Sequence, residues 1–255
     1  MLTFNPELAP LDLLFSQGEE YEALPPKQRG EVYHHLREIT VVLIKSMLSD
    51  QLEFVGIAKE LFSIRDLIEI RRHCIGRGKI GGKAAGMLLA RQILRQADPD
   101  DPLEVHKHIE IPDSYFICAD VFYDFQLING FTRYMNQKYR SREEIERDYP
   151  KLRAAYLDGH FPGELIYRLR RILENVGNAP LVLRSSSLLE VHFGAALAGK
   201  YESVFCPNQG SLEENLNALL KAIAQVYASI LSPDALLYRQ RMGLLLSLIH
   251  ISEPT

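Results

Sequence analysis

Two short stretches carry residue types whose spacing could do chemistry. The first, Gly76-Arg77-Gly78-Lys79-Ile80-Gly81-Gly82-Lys83-Ala84-Ala85-Gly86, holds five glycines and two lysines in eleven residues. Glycine lets a backbone turn tightly and approach a ligand closely. Lysine adds a mobile positive charge. The apolar segment Met87 to Leu94 follows directly, and a helix starting there would aim its unsatisfied N–H groups at the same spot. Together these describe a phosphate cradle. The second stretch is Leu183-Arg184-Ser185-Ser186-Ser187-Leu188-Leu189-Glu190. An arginine at the end of an apolar strand can fork onto phosphate oxygens, and three serines offer hydroxyl and backbone donors. From these residues alone, an Arg184–Glu190 structural ion pair is an equal reading.

Other readings of the glycine stretch fit less of it. Gly76, Gly78 and Gly81 match G-x-G-x-x-G, but a dinucleotide fingerprint needs a strand before it. Leu67 to Arg72 reads as charged helix instead. The Walker A pattern fails because Ala84, not Ser or Thr, follows Gly82-Lys83, so the magnesium-holding hydroxyl is absent. A plain glycine turn between helices explains one or two glycines, not five with lysines interleaved. A nest of backbone N–H groups plus a lysine explains the whole composition.

The surrounding elements must position these stretches. Val32, Leu36, Ile39, Leu43 and Met47 recur at helical spacing. Asp50 with Glu53 and Ser63 with Asp66 read as capping boxes opening helices near 50–62 and 64–73. Residues 1 to 26 are mixed, punctuated by four prolines. The first seventy residues thus form a helical region whose simplest role is packing. Docking is the other role, and a homodimer is one form it would take. After the glycine stretch a helix runs to about Ala97, where Asp98 to Pro102 stops it. Tyr115 to Cys118 predicts a buried strand, and Asp120 to Ile128 a helix. Ser141 with Glu144 opens a polar helix that Asp158-Gly159 ends. Leu165 to Val176 marks another, ended by Gly177. Pro180 to Arg184 and Tyr201 to Phe205 read as strands. Ser211 with Glu214 caps a long helix, and Ser232-Pro233 starts the last. Strands mixed with many helices predict an α/β or α+β fold.

Composition bounds the partners. The chain has 255 residues, 47% hydrophobic and 24% charged, with a net charge of −4. No basic excess points to nucleic acid. No apolar run is long enough for a bilayer, so no membrane role is expected. Met1 to Pro6 shows no secretion signal. Cys74, Cys118 and Cys206 are odd in number and widely spaced, without zinc-ligand pattern. They predict a reduced, cytoplasmic setting.

Ile80 to Gly86 resembles the glycine-rich lysine motif at the start of the nucleotide-binding domain of the phosphoenolpyruvate synthase and pyruvate phosphate dikinase family. Val182 to Ser187, then Glu190, then Leu197-Ala198-Gly199-Lys200-Tyr201-Glu202-Ser203, resembles that family's second signature. Tyr227-Ala228-Ser229 and Tyr238-Arg239 continue it. The resemblance covers residues 75–245 in ordered blocks. Ser187, Val191 and Lys200 depart from it, standing where alanine, an acid and glutamine are usual.

After the helical region, taken as 1–74, the resemblance implies the first part of an ATP-grasp-like domain with a small mixed sheet at 75–245, and it leaves a tail at 246–255. That tail resembles translated sequencing-adapter sequence, and the chain is expected to be a truncated piece. Lys83 and Arg184 would hold ATP phosphates in catalysis, with Gly81, Gly82, Ser185, Glu190 and Gly199 completing the nucleotide site. Magnesium ligands are expected further along, beyond this chain. The implied reaction moves phosphate from ATP to an enzyme histidine and then to pyruvate, through further domains. No histidine here, His34, His35 and His192 included, matches a phosphohistidine motif. The alternatives are the ATP module of another dikinase or of an antibiotic phosphotransferase, a non-catalytic nucleotide sensor, and a dinucleotide-binding oxidoreductase.

Overall fold

A computed structural model describes residues 5–96, 108–109, 111–187 and 200–243. The chain forms two compact units, Met1–Cys118 and Ala119–Thr255. The described residues are mostly helical, with two small two-stranded sheets, one parallel and one antiparallel. The small mixed sheet expected from the sequence takes this form, as two separate pairs.

In the first unit a 3-10 turn, Pro6–Leu8, precedes helices α1 (Leu11–Glu22), α2 (Pro26–Glu31), α3 (Tyr33–Met47), α4 (Leu52–Leu61) and α5 (Ile64–His73). α3 is central. Its Ile39, Leu43 and Met47 are buried, as their spacing requires, and α1, α4 and α5 pack around it. α1 was not legible in the mixed opening residues, because a glycine interrupts its buried face of Leu14, Gly18 and Tyr21. A Cβ at Gly18 would sit 2.8 Å from Ile64 Cδ1 and 2.9 Å from Cγ1, so any larger residue would push Ile64 aside where α1 meets α5. α1 also caps its neighbour: the Ile64 N–H donates to Glu22 Oε1 at 2.7 Å. The Ser63/Asp66 capping box forms as read. The Asp50/Glu53 box does not. Gln51 is the N-cap of α4, without a side-chain cap, and Asp50 pairs with Lys79 instead at 2.7 Å.

α5 runs into strand β1 (Cys74–Ile75). β1 pairs in parallel with β2 (Phe116–Ile117), in the register Cys74 to Phe116 and Ile75 to Ile117. Helix α6 (Gly82–Arg95) lies between them in sequence. Cys74, Ile75, Phe116 and Cys118 are all buried. β2 is the buried strand predicted around Tyr115 to Cys118, two residues long.

The second unit starts with α7 (Ala119–Ile128) and a 3-10 segment, Phe131–Tyr139. α8 (Arg142–Leu157) opens on the Ser141/Glu144 capping box. α9 (Gly163–Val176) ends at Gly177, whose φ of 59° suits glycine. β3 (Leu181–Arg184) pairs antiparallel with β4 (Ser203–Cys206). α10 (Leu212–Ser229) starts at the Ser211/Glu214 box, and α11 (Pro233–Arg241) at Ser232. The core is aromatic. The rings of Phe131 and Tyr156 stack at 4.8 Å, Phe125 packs on both, and Tyr227 packs on Phe125. Inside that cluster the Gln126 amide and the Tyr156 hydroxyl exchange hydrogen bonds at 2.6 and 2.9 Å, and burial pushes the Tyr156 phenol well above its ordinary range.

The β3–β4 pair lies on α10 by one face. The other face leaves Val182 61% and Phe205 63% exposed, directly opposite each other. The apolar run at 181–183 is therefore half-covered rather than a core strand.

Candidate functional site

The glycine stretch is shaped at its start and held in its middle. At Gly76 the backbone takes φ 103°, a conformation that side chains with a Cβ resist. The turn carries the Gly76 carbonyl out of the β1 ladder, and Arg71 Nη1 donates to it at 2.8 Å. Farther on, Lys79 Nζ lies 2.7 Å from Asp50 Oδ2. Ile80 is buried, and its N–H donates to the carbonyl of Met47 at 3.0 Å. One lysine of the stretch is thus engaged with α4's approach, and the chain is pinned before it enters α6.

α6 begins earlier than its apolar run suggested. Gly81 is the N-cap, without a side-chain cap bond, and Gly82, Lys83 and Ala84 open the first turn. Gly81 and Gly82 are buried, and Lys83 is half-buried. α5, α8 and α10 all place acids in their first turns. α6 places none there, and its second residue is a lysine. A cation at a helix N-terminus opposes the macrodipole by about 0.3–1 kcal/mol. An anion at that end would be attracted by the dipole and by Lys83 alike. The chemistry available is electrostatic: binding a phosphate group and neutralising its charge.

A two-residue strand does lead into Gly76, with α5 continuing up to His73. The β1–α6–β2 order is that of a parallel crossover unit. However, the third glycine of the G-x-G-x-x-G match, Gly81, is spent as the helix cap.

In the second unit Arg184 ends β3, opposite Ser203. It is exposed, while Ser185, Ser186 and Ser187 are half-buried. Glu190 and Gly199, with the rest of 188–199 and with the tail from 244 onward, lie outside the described residues. Lys83 and Arg184 belong to different compact units. From residue 200 onward the chain is anchored on α10 and α11. The Glu202 N–H donates to Ser229 Oγ at 3.1 Å, and Gln225 Nε2 donates to Glu202 Oε2 at 2.7 Å. Lys200 Nζ sits 5.2 Å from the centre of the Tyr238 ring, a cation–π contact. Arg239, 1% exposed, gives Nε to the Ala235 carbonyl at 3.3 Å and Nη2 to that of Ile230 at the end of α10. Burial lowers its pKa, and the carbonyl end of the helix is where a buried cation is best tolerated.

Sequence reasoning missed Met47, Asp50 and Arg71 as neighbours of the cradle. Asp50 has the spacing of a cap, but it pairs with Lys79, 29 residues away. Among the described residues no three His, Cys, Asp or Glu side chains gather as they would around a metal ion. Nor is any helix among them long and apolar enough to cross a membrane. The three cysteines are buried free thiols, and burial raises the pKa of Cys206.

Comparison with protein families matches residues 77–252 to the one described as pyruvate phosphate dikinase, AMP/ATP-binding domain. No curated protein and no solved structure matches the chain.

Proposed function

The chain belongs to the pyruvate phosphate dikinase AMP/ATP-binding domain family, and on that premise we propose that it is the ATP-binding portion of a phosphotransferase that phosphorylates an enzyme histidine and then pyruvate. The observation that carries the reading is a match that starts at Arg77, one residue into the glycine stretch, together with Lys83 in the first turn of α6. Lys83 and the N–H groups after Gly81 and Gly82 would receive the phosphates. Arg184, at the end of β3, would fork onto phosphate oxygens, with Ser185, Glu190 and Gly199 as further nucleotide-site residues. Both cations would act by stabilising the charge that spreads over the transferred phosphoryl group, which is most of what a protein contributes to such a transfer. When bound, magnesium would supply further neutralisation of phosphate charge. Its ligands, the histidine carrier and the pyruvate site fall to parts beyond the residues described.

The chain by itself carries the phosphate-facing side of the site. Weak ATP binding without turnover is expected from it. Incubation with ATP labelled at each phosphate in turn, with and without the following domains, tests the reading. Label transferred to a histidine only when those domains are present, and onward to pyruvate, supports it. Transfer to another acceptor would move the chain to a different dikinase or an antibiotic phosphotransferase. Binding without any transfer in the longer protein would make it a nucleotide sensor.

A further inference from the structure

The helical region before Arg77 lies outside the matched domain, yet its Arg71, Asp50 and Met47 touch the glycine stretch. We propose that this region positions the cradle, with Arg71 and Asp50 as the positioning residues. The inference rests on the nucleotide reading of the glycine stretch and gives residues 5–73 a part in it.

The three contacts have distinct jobs. Arg71 reaches from the last turn of α5 to the Gly76 carbonyl at 2.8 Å. That carbonyl belongs to the one residue of the stretch with positive φ, so the guanidinium holds the turn where the chain leaves β1. Asp50, between α3 and α4, holds the Lys79 ammonium at 2.7 Å. The pair keeps Lys79 directed at α4's approach, while Lys83 stands in the first turn of α6. Met47, the last residue of α3, accepts the Ile80 N–H at 3.0 Å while the Ile80 side chain is buried. Gly81 follows at once as the cap of α6. The direction of α6's first turn, and so of Lys83, is thereby set by α3, α4 and α5. None of these side chains need touch the nucleotide. Their effect is on the fraction of molecules whose loop is already in the binding shape, and apparent affinity scales with that fraction.

The test uses the full chain, with Arg71→Met, Arg71→Lys, Asp50→Asn and wild type. ATP affinity is measured by titration, loop order by hydrogen exchange at the Ile80 amide, and global stability by thermal melting. Arg71→Met is expected to weaken ATP binding by roughly tenfold and to speed Ile80 exchange by a similar factor. Its melting temperature should stay near that of wild type. Arg71→Lys should recover part of both losses, because it restores a cationic donor. Asp50→Asn should act in the same direction, with a smaller effect, since an exposed ion pair contributes little. Unchanged Ile80 exchange in Arg71→Met would overturn the proposal, and so would faster exchange with unchanged ATP affinity. A wild-type chain that binds no ATP would defeat the nucleotide reading instead, and Ile80 exchange would still decide whether the helical region orders the loop.

Discussion

Lys83→Ala separates a ligand-binding lysine from a structural one, because the two roles predict different signs. Lys83 is the second residue of α6, half-buried, in a first turn without acids. Removing a cation from that position relieves about 0.3–1 kcal/mol of opposition to the helix dipole. Alanine adds a few tenths of helix propensity. Against this stands any exposed ion pair lost with the ammonium, about 0–1 kcal/mol. The net change in folding stability should stay within about 1 kcal/mol. ATP binding should behave quite differently. A hydrogen bond to a charged phosphate contributes about 1.5–3 kcal/mol, so the dissociation constant should rise roughly 10- to 150-fold. Titration calorimetry with ATP gives the second quantity, and urea unfolding of the same samples gives the first. Lys83→Arg should retain part of the affinity. Unfolding that is easier by more than about 2 kcal/mol, with affinity following only the folded fraction, would show that the lysine supports the fold and would refute the argument.

Two glycines of the same stretch should respond oppositely to alanine. Gly76→Ala forces a Cβ onto φ 103° and should cost about 1–3 kcal/mol in urea unfolding. Gly86→Ala lies inside α6, where an added Cβ meets nothing within 4 Å, and should stabilise by about 0.4–1 kcal/mol. Equal effects would mean that the turn at Gly76 is not held in solution. Gly18→Ala should destabilise by about 1–3 kcal/mol from crowding against Ile64, less roughly 1 kcal/mol of helix propensity. Ile64→Val should reduce the penalty, and additivity in the double variant would contradict the packing. On the acid side, the Ser141 N–H and then Arg140 hold the Glu144 carboxyl below its ordinary value of 4.5, and the Ser211 hydroxyl and N–H do the same for Glu214. A lowered folded-state pKa gives stability that is present above the unfolded value and is lost as pH falls through the folded one. Stability should therefore decline below pH 4.5, and Glu144→Gln with Glu214→Gln should make the decline shallower. An unchanged slope would remove the capping boxes from the acid response.

The local signals were the legible part. Ser63/Asp66, Ser141/Glu144 and Ser211/Glu214 each formed the boxes their three-residue spacing predicts, since donor and acceptor lie within one turn. Gly177 stopped α9, and Ser232-Pro233 opened α11, for equally local reasons. The same spacing at Asp50/Glu53 misled, because Asp50 found a cation 29 residues on in Lys79. α1 was hidden because the residue at its contact with α5 is a glycine, which carries no hydrophobic signal. The apolar look of residues 181–183 said nothing about whether both faces of β3 would be covered.

By itself the sequence determined the family, through blocks that include a glycine-rich lysine stretch and a strand-end arginine, residue types that suit a phosphate. Residue type and spacing are enough for that, because a phosphate is recognised by charge and by backbone N–H groups close together in the chain. Only the tertiary structure decided which lysine of the stretch is tied to Asp50, that Arg71 and Met47 brace the turn, and that α6 starts at Gly82 with Lys83 in its first turn. Those outcomes depend on contacts between residues far apart in sequence, where no periodicity or spacing rule reaches.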